Sequence, residues 1–229
     1  MTGEVAVNVH HGAEVLMEHL EADPRPVHRS LEEPIALGTA GAVGNLVQWL
    51  DGRAVLVTNA DTWHEAELGR FVGQWDRERV AVLTTTPGAF GPRSSVVASV
   101  MPGPVAAGLI AEPSGLWEAL WRAEAAAGRI QTVHVGAVAL DCGTPAGYLD
   151  ANLLWLGSHR TDLVGDNWVH PGAELTGAAE SSVIGGGASV AGTIRRCVVW
   201  PDSAVVATES LTDAIRASGL TVMVRGPRP

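Results

Sequence analysis

The sequence predicts an α/β chain: a doubly wound, mostly parallel sheet followed by a short β-solenoid. Two observations carry this. Over the first two-thirds, short apolar runs alternate with segments whose apolar residues recur at helical spacing, the pattern of successive β-α units. From about Trp168 onward, three segments repeat at a fixed fifteen-residue offset. The 229 residues suit one large domain or one and a half small ones.

Taken in order, Val5, Val7 and Val9 alternate as a strand. Ala13, Leu16, Met17 and Leu20 then fall on one helical stripe. A loop from Asp23 to Pro26 leads to His28-Arg29-Ser30. Gly38-Thr39-Ala40-Gly41 opens a helix carrying Leu46, Val47 and Leu50, which Asp51-Gly52 ends. Ala54 to Val57 is an uninterrupted apolar run, as in a strand buried on both faces, and it stops at Asn59-Ala60-Asp61. Leu68, Phe71, Val72 and Trp75 form another helical stripe, and Val80 to Leu83 the next buried strand. Ser94 to Val100 and Val105 to Ala111 read as strands. Leu116, Trp117, Leu120 and Trp121 share a helix face, and Gly128 closes that helix. Ile130 to Leu140 is strand again. Thr144-Pro145 starts a helix, Thr as N-cap and Pro at the first position.

In the repeat, Trp168 to Leu175 aligns with Val183 to Val190 and with Val198 to Val205. The columns are an aliphatic residue, a Gly or Pro turn, a small residue, and a second aliphatic residue. Gly177 matches Gly192, and Ser182 matches Cys197. Short strands, tight turns and a small-residue column suit stacked coils, each burying its face on the next. Val169/Ile184/Val199 and Leu175/Val190/Val205 are expected to stack inward. A last helix is expected around Leu211 and Ile215, ending at Gly219.

Composition excludes several functions. A net charge of −10 and a pI near 5.2 argue against nucleic acid or an anionic membrane as partner. No apolar run approaches the ~20 residues that cross a bilayer, and Met1-Thr2-Gly3-Glu4 shows no secretory signal. The only cysteines, Cys142 and Cys197, are far apart, which points to a cytoplasmic chain without a disulfide scaffold. All fifteen basic residues are Arg. Without lysine there is no Walker A loop and no lysine phosphate clamp.

Three places could carry chemistry. Gly38 to Gly41 lies at a helix start, where backbone amides bind phosphate or a base edge; a glycine-rich packing turn explains it equally well. Asp61 follows an apolar strand, at the sheet edge where ligands of open α/β folds bind. Asp141 also follows a strand. Two such carboxylates suit Mg²⁺, held by one or two carboxylates plus substrate phosphates; an Asx turn or cap is the ordinary alternative for each. The eight His lack metal-ligand spacing, and Trp75, Trp117 and Trp121 read as core positions.

The order Val7-Asn8-Val9-His10-His11, Leu37-Gly38-Thr39-Ala40-Gly41-Ala42, Asn59-Ala60-Asp61, and Asp141-Cys142-Gly143-Thr144-Pro145 with Tyr148-Leu149 and Ala151-Asn152 resembles the sugar-1-phosphate nucleotidylyltransferases. The mannose-1-phosphate guanylyltransferase and glucose-1-phosphate thymidylyltransferase-like branch is most similar, over about residues 4 to 215. The resemblance implies the nucleotide-diphospho-sugar transferase fold over residues 1–160. It implies a hexapeptide-type left-handed β-helix plus terminal helix over residues 161–229. The substrates implied are a nucleoside triphosphate and a sugar 1-phosphate, with Mg²⁺ as cofactor and pyrophosphate as leaving group. Asp61 and Asp141 would be the catalytic metal carboxylates. Gly38, Thr39, Ala40 and Gly41, with Glu33 and Asn59, would contact the nucleotide. Gly108, Glu112 and Thr144 would contact the sugar phosphate.

The chain departs from that family in its cations. The family opens on a G-x-G-x-R-L loop and a Pro-Lys pair that hold the triphosphate. On this comparison the chain is expected to begin one β-α unit late. The sugar-side Glu-Lys-Pro is replaced by Ala111-Glu112-Pro113. An incomplete parallel sheet also exposes an edge, which favours self-association into a homo-oligomer. Three readings stay open: a nucleotidyltransferase lacking its first unit as given, a non-catalytic nucleotide-sugar-binding relative that assembles with an active partner, and a hexapeptide-repeat acyltransferase. The last wants more than three coils and a catalytic His.

Overall fold

The computed structural model describes residues 3–158 and 163–224. The chain divides into two compact units, residues 1–59 with 65–138, and residues 60–64 with 139–229. The boundary expected between residues 160 and 161 lies outside the described residues. The division falls earlier in the chain, at 138/139.

In the first unit, β1 (Val5–Val9) and β2 (Val27–Leu31) are joined by α1 (Ala13–Ala22) and pair in parallel, from Val5↔Val27 to Val9↔Leu31. After α2 (Gly38–Asn45) and α3 (Val47–Leu50) comes β3 (Val55–Thr58). The chain passes through β4 (Thr62–His64), which belongs to the second unit, and returns as α4 (Leu68–Gln74), β5 (Val80–Thr84) and β6 (Val96–Met101). A one-turn α5 (Gly103–Ala106), a π-helical turn (Trp117–Trp121), α6 (Arg122–Ala126) and β7 (Ile130–His134) complete the unit.

The main sheet has the order β3-β6-β5-β7. β5 and β7 are parallel, and β6 runs antiparallel to both its neighbours. The α/β class stands, and the sheet is mixed at this strand. The reason is the link: residues 85–95 are too few for the crossover of a dozen or more that a parallel pair needs. β5 is buried along its whole length. Ala40, Val43, Leu46 and Leu50 pack with Val80, Met101 and Leu116 to form the core.

The strand expected over Val105–Ala111 is not formed. Pro102 and Pro104 lack ladder donors, and Gly103 sits so close to Gly52 that a β-carbon there would lie 1.8 Å from its carbonyl oxygen. The chain turns into α5 instead.

In the second unit, β4 pairs antiparallel with β8 (Ala139–Asp141), Thr62 facing Asp141. Then follows α7 (Pro145–Ser158), with Thr144 as its cap: the Gly147 N–H donates to Thr144 Oγ1 at 3.1 Å. Leu149 of α7 packs with Val198 and Ile215, which is why this helix goes with the solenoid.

The solenoid strands are β9 (Leu163–Val164), β10 (Asn167–Val169), β11 (Glu174–Leu175), β12 (Ala178–Glu180), β13 (Val183–Ile184), β14 (Ser189–Val190), β15 (Thr193–Arg195), β16 (Val198–Val199), β17 (Ala204–Val205), β18 (Ser210–Thr212), β19 (Ala214–Ala217) and β20 (Leu220–Met223). They form three ladders: β10-β13-β16-β19, β11-β14-β17 and β12-β15-β18. Coil-to-coil pairing is parallel, with Trp168 on Val183, Val183 on Val198, and Glu174 on Ser189. Ile184, Val190, Val199 and Val205 fill the interior, as the repeat predicts, with Val169 and Leu175 packed against them; Ile194 joins the same interior. Gly177 is required by the stacking, since a β-carbon there would lie 2.0 Å from Gly192 O.

The expected last helix is a fourth coil. Thr193 pairs with Ser210 and Val198 with Ile215, so the offset grows from fifteen to seventeen residues. The two extra residues hide the repeat. Leu211 and Ile215 mimic helical spacing while lying on two different strands, β18 and β19. β20 then closes the coil as an antiparallel hairpin on β19.

Candidate functional site

In the second unit, Asp61 precedes β4 and Asp141 ends β8. The β4–β8 pairing holds both, helped by the Cys142 N–H donating to Asp61 O at 2.7 Å. Asp141 Oδ1 accepts from the Gly143 N–H at 2.8 Å, an Asx turn. The two carboxylates converge on Gly143. A β-carbon at that glycine would lie 3.0 Å from Asp141 Oδ1 and 3.0 Å from Asp61 Oδ2. The two oxygens are therefore at most twice that distance apart, across a gap a side chain would crowd. Both carboxylates are solvent-exposed. Among the described residues there is no group of three or more His, Cys, Asp or Glu placed to hold a metal. A pair is the donor set available. Thr144 follows at once. Its Oγ1 accepts from Gly147 and keeps its hydroxyl proton to donate.

In the first unit, the glycine-rich start of α2 is packed against the segment 110–116. The amides of Ala40 and Gly41 both donate to Ser114 O, at 3.0 and 3.4 Å. A β-carbon at Gly41 would lie 2.3 Å from Glu112 O, at Gly44 2.3 Å from Ile110 O, and at Gly38 2.7 Å from Ser114 O. These glycines admit neighbouring backbone. Thr39 Oγ1 accepts from the Leu116 N–H at 3.0 Å.

A cavity of about 310 Å³ opens beside that turn. Thr39 and Asn59 line it, with Ser99 of β6 and with Trp117, Glu118 and Trp121 of the π-helical turn. Of the sequence-derived nucleotide contacts, the structure brings Thr39 and Asn59 together here. Glu33 is exposed in the loop after β2. Gly108 is exposed after α5, and Glu112 presses its carbonyl on Gly41; neither lines the cavity.

No protein-family model matches this sequence, and no curated protein matches it. Solved structures do match. A mannose-1-phosphate geranyltransferase from Thermus thermophilus superposes with a TM-score of 0.54 at 16% identity, over 96% of this chain and 79% of that one. HddC from Yersinia pseudotuberculosis gives 0.51 at 14% identity, over 65% of this chain and 76% of that one. HddC complexed with GMP-PN gives 0.50 at 13% identity, over 64% and 76%. This chain has the nucleotidyltransferase fold. At such identities the likeness is one of fold alone.

Within the nucleotidyltransferase fold, three residues stand out that the sequence did not single out for a site. Glu32, next to Glu33, is 2% exposed. One of its oxygens accepts from the Leu37 N–H at 2.8 Å, and Oε1 is buried without a hydrogen-bond partner among the described residues. Trp121 Nε1 is likewise buried, with no hydrogen-bond partner among the described residues. Glu118 lines the same cavity as Trp121. The apolar spacing at Trp117 and Trp121 signals core, and nothing in it marks a π-helical turn. The arginines divide clearly. Arg29 is bound to Glu21 at 2.9 Å. Arg70, Arg77, Arg93 and Arg122 form no ion pair among the described residues, and Arg93 directly precedes Ser94, a cavity residue.

Proposed function

We propose that this chain joins a nucleoside triphosphate to a sugar 1-phosphate with release of pyrophosphate, in a cytoplasmic setting. The observation that carries the reading is the carboxylate pair around Gly143. Asp61 and Asp141 offer the hard oxygen donors that Mg²⁺ takes together with substrate phosphates, and Gly143 leaves the space between them open. When bound, the ion would offset the negative charge of the phosphates.

The rest of the chemistry is positioning. A sugar-phosphate oxygen attacks the α-phosphate in line, and pyrophosphate leaves. Thr144 donates its hydroxyl proton to a phosphate oxygen of the sugar 1-phosphate. Thr39 and Asn59 hold the nucleotide in the first unit. Arg93, free of ion pairs, supplies positive charge in a chain without lysine. The reading does not depend on Glu33, Gly108 or Glu112. The fold neighbours support the substrate class: one is named for mannose 1-phosphate and another was crystallised with GMP-PN.

One observation favours a second reading, a relative that binds nucleotide sugar without turnover. The 229 residues hold no lysine, and several of the described arginines are already tied to carboxylates, so few cations meet the developing pyrophosphate charge. An array of nucleoside triphosphates and sugar 1-phosphates with Mg²⁺ separates the two. Slow pyrophosphate release with one base–sugar pair, lost in Asp61→Asn, supports catalysis. Asp61-dependent binding without release supports the second reading. Absence of both overturns the assignment.

A further inference from the structure

Trp200 follows β16 at a corner of the solenoid and is 45% exposed, the one exposed tryptophan among the described residues. Its main chain is fixed. The Trp200 N–H donates to Arg216 O at 2.8 Å, and a β-carbon at Gly185 would lie 2.6 Å from Pro201 N. The ring is held edge-to-face on Tyr148 of α7, with centroids 6.2 Å apart and planes at 66°. Its neighbours in the stack are small. Ile184 pairs with Val199 and Val199 with Arg216, so Gly185, Trp200 and Ala217 share one column, and neither neighbour in that column can cover the indole.

α7 brings this ring beside the carboxylate pair. Trp155 meets Trp168 of the first coil, and Tyr148 meets Trp200 of the third. Seven helical residues rise about 10.5 Å, close to the roughly 9.6 Å of two strand spacings, so the helix runs back along the stack. Four residues before Tyr148 comes Thr144, whose carbonyl accepts from the Tyr148 N–H at 2.9 Å. Residues four apart share a helix face. Thr144 therefore lies on the Tyr148 side, one turn further along, level with the fourth coil, where the column holds only Ala217. Asp61 and Asp141 converge on Gly143, the residue before Thr144. Groups suited to phosphate and an exposed indole thus stand one to two helical turns apart, roughly 5–11 Å. A pyranose carrying a phosphate on C1, laid on the indole, has that reach.

We infer that Trp200 is the platform for the glycosyl ring of the sugar 1-phosphate, the C–H face of that ring lying on the indole while its phosphate meets Thr144. This rests on the nucleotidyl-transfer reading above, in which Thr144 donates to the sugar phosphate. The ring next to that phosphate is the sugar, since in the same reading Thr39 and Asn59 hold the nucleotide in the first unit. Apolar C–H groups gain from leaving water for the indole, and the hydroxyls at the rim of the sugar stay hydrated.

The test is calorimetric binding of mannose 1-phosphate, glucose 1-phosphate, inorganic phosphate and GTP with Mg²⁺ to the full chain, as wild type, Trp200→Ala and Trp200→Phe. Labelling with 5-fluorotryptophan follows the Trp200 signal, assigned by its loss in Trp200→Phe. The expected result is binding of a sugar 1-phosphate about five- to tenfold weaker in Trp200→Ala and near wild type in Trp200→Phe, where a ring remains. Inorganic phosphate and GTP should bind Trp200→Ala as they bind wild type. The Trp200 fluorine signal should move on addition of the sugar 1-phosphate and stay in place with inorganic phosphate. Equal binding of the sugar 1-phosphate by wild type and Trp200→Ala overturns the inference and leaves nucleotidyl transfer standing. A loss confined to GTP also overturns it, since the ring on Trp200 would then be a base. No binding of either sugar 1-phosphate by wild type overturns both. If Trp200→Ala does not fold, the fluorine signal of wild type decides: unmoved by a sugar 1-phosphate that binds, it overturns the inference.

Discussion

The turn that opens α2 and the turn that opens α7 look alike in sequence, each a small-residue stretch ahead of a helix, and the structure uses their glycines in opposite ways. At Gly38, Gly41 and Gly44 the missing side chain is replaced by main chain of residues 110–114, at 2.3 to 2.7 Å from where a β-carbon would sit. At Gly143 the space is bounded by two carboxylate oxygens at 3.0 Å. Gly147, one turn on, is again a packing glycine, with Asp141 O at 1.7 Å from its notional β-carbon. The difference separates glycine that lets the chain pack from glycine that leaves room for a third party. What surrounds the glycine, backbone or ionisable side chain, decides which.

That contrast can be broken by substitution. The largest effect is expected on the carboxylates: Asp61→Asn should lower nucleotidyl transfer on the order of 10²–10³-fold, with the far-UV spectrum and melting temperature unchanged. Gly41→Ala comes next and acts on the fold. Overpacking against Glu112 O costs about 1–3 kcal/mol, which for a chain of this size lowers the melting temperature of the first unit by roughly 2–12 °C. Gly143→Ala should do the reverse, weakening metal affinity about tenfold, as changes beside metal ligands do, while melting stays as in wild type. Equal losses of stability in Gly41→Ala and Gly143→Ala would erase the contrast. The smallest effect sharpens it. Thr39→Val removes the acceptor for the Leu116 N–H and should cost about 1 kcal/mol in denaturant unfolding.

The same contrast explains what could be read from the sequence. The solenoid was legible because its first three coils repeat every fifteen residues with Ile184, Val190, Val199 and Val205 in fixed columns. Its fourth coil was not, because two added residues shift the pairing of Ile215 with Val198 to seventeen. Asp61 and Asp141 were legible as carboxylates at strand ends. Their convergence on Gly143 depends on the β4–β8 pairing, which joins residues about eighty positions apart. Gly38 to Gly41 could be recognised as a glycine-rich helix start, but the backbone that fills it comes from residues 110–116, whose loop path no local pattern encodes. Similarly, Leu31-Glu32-Glu33 does not say which carboxylate is buried until the Leu37 N–H closes on Glu32. β6 runs antiparallel because of the length of its loop, and apolar alternation is the same for either direction.

The central claim is that Asp61 and Asp141 hold a divalent cation in the space Gly143 leaves open. Its most direct test is Mn²⁺ binding followed by electron paramagnetic resonance in the presence of GTP, with wild type, Asp61→Asn, Asp141→Asn, Gly143→Ala and Gly41→Ala in parallel. The account predicts bound Mn²⁺ in wild type and in the folded fraction of Gly41→Ala, weaker binding in Gly143→Ala, and loss of the signal in both Asp variants. Mn²⁺ bound equally by wild type, Asp61→Asn and Gly143→Ala would contradict it.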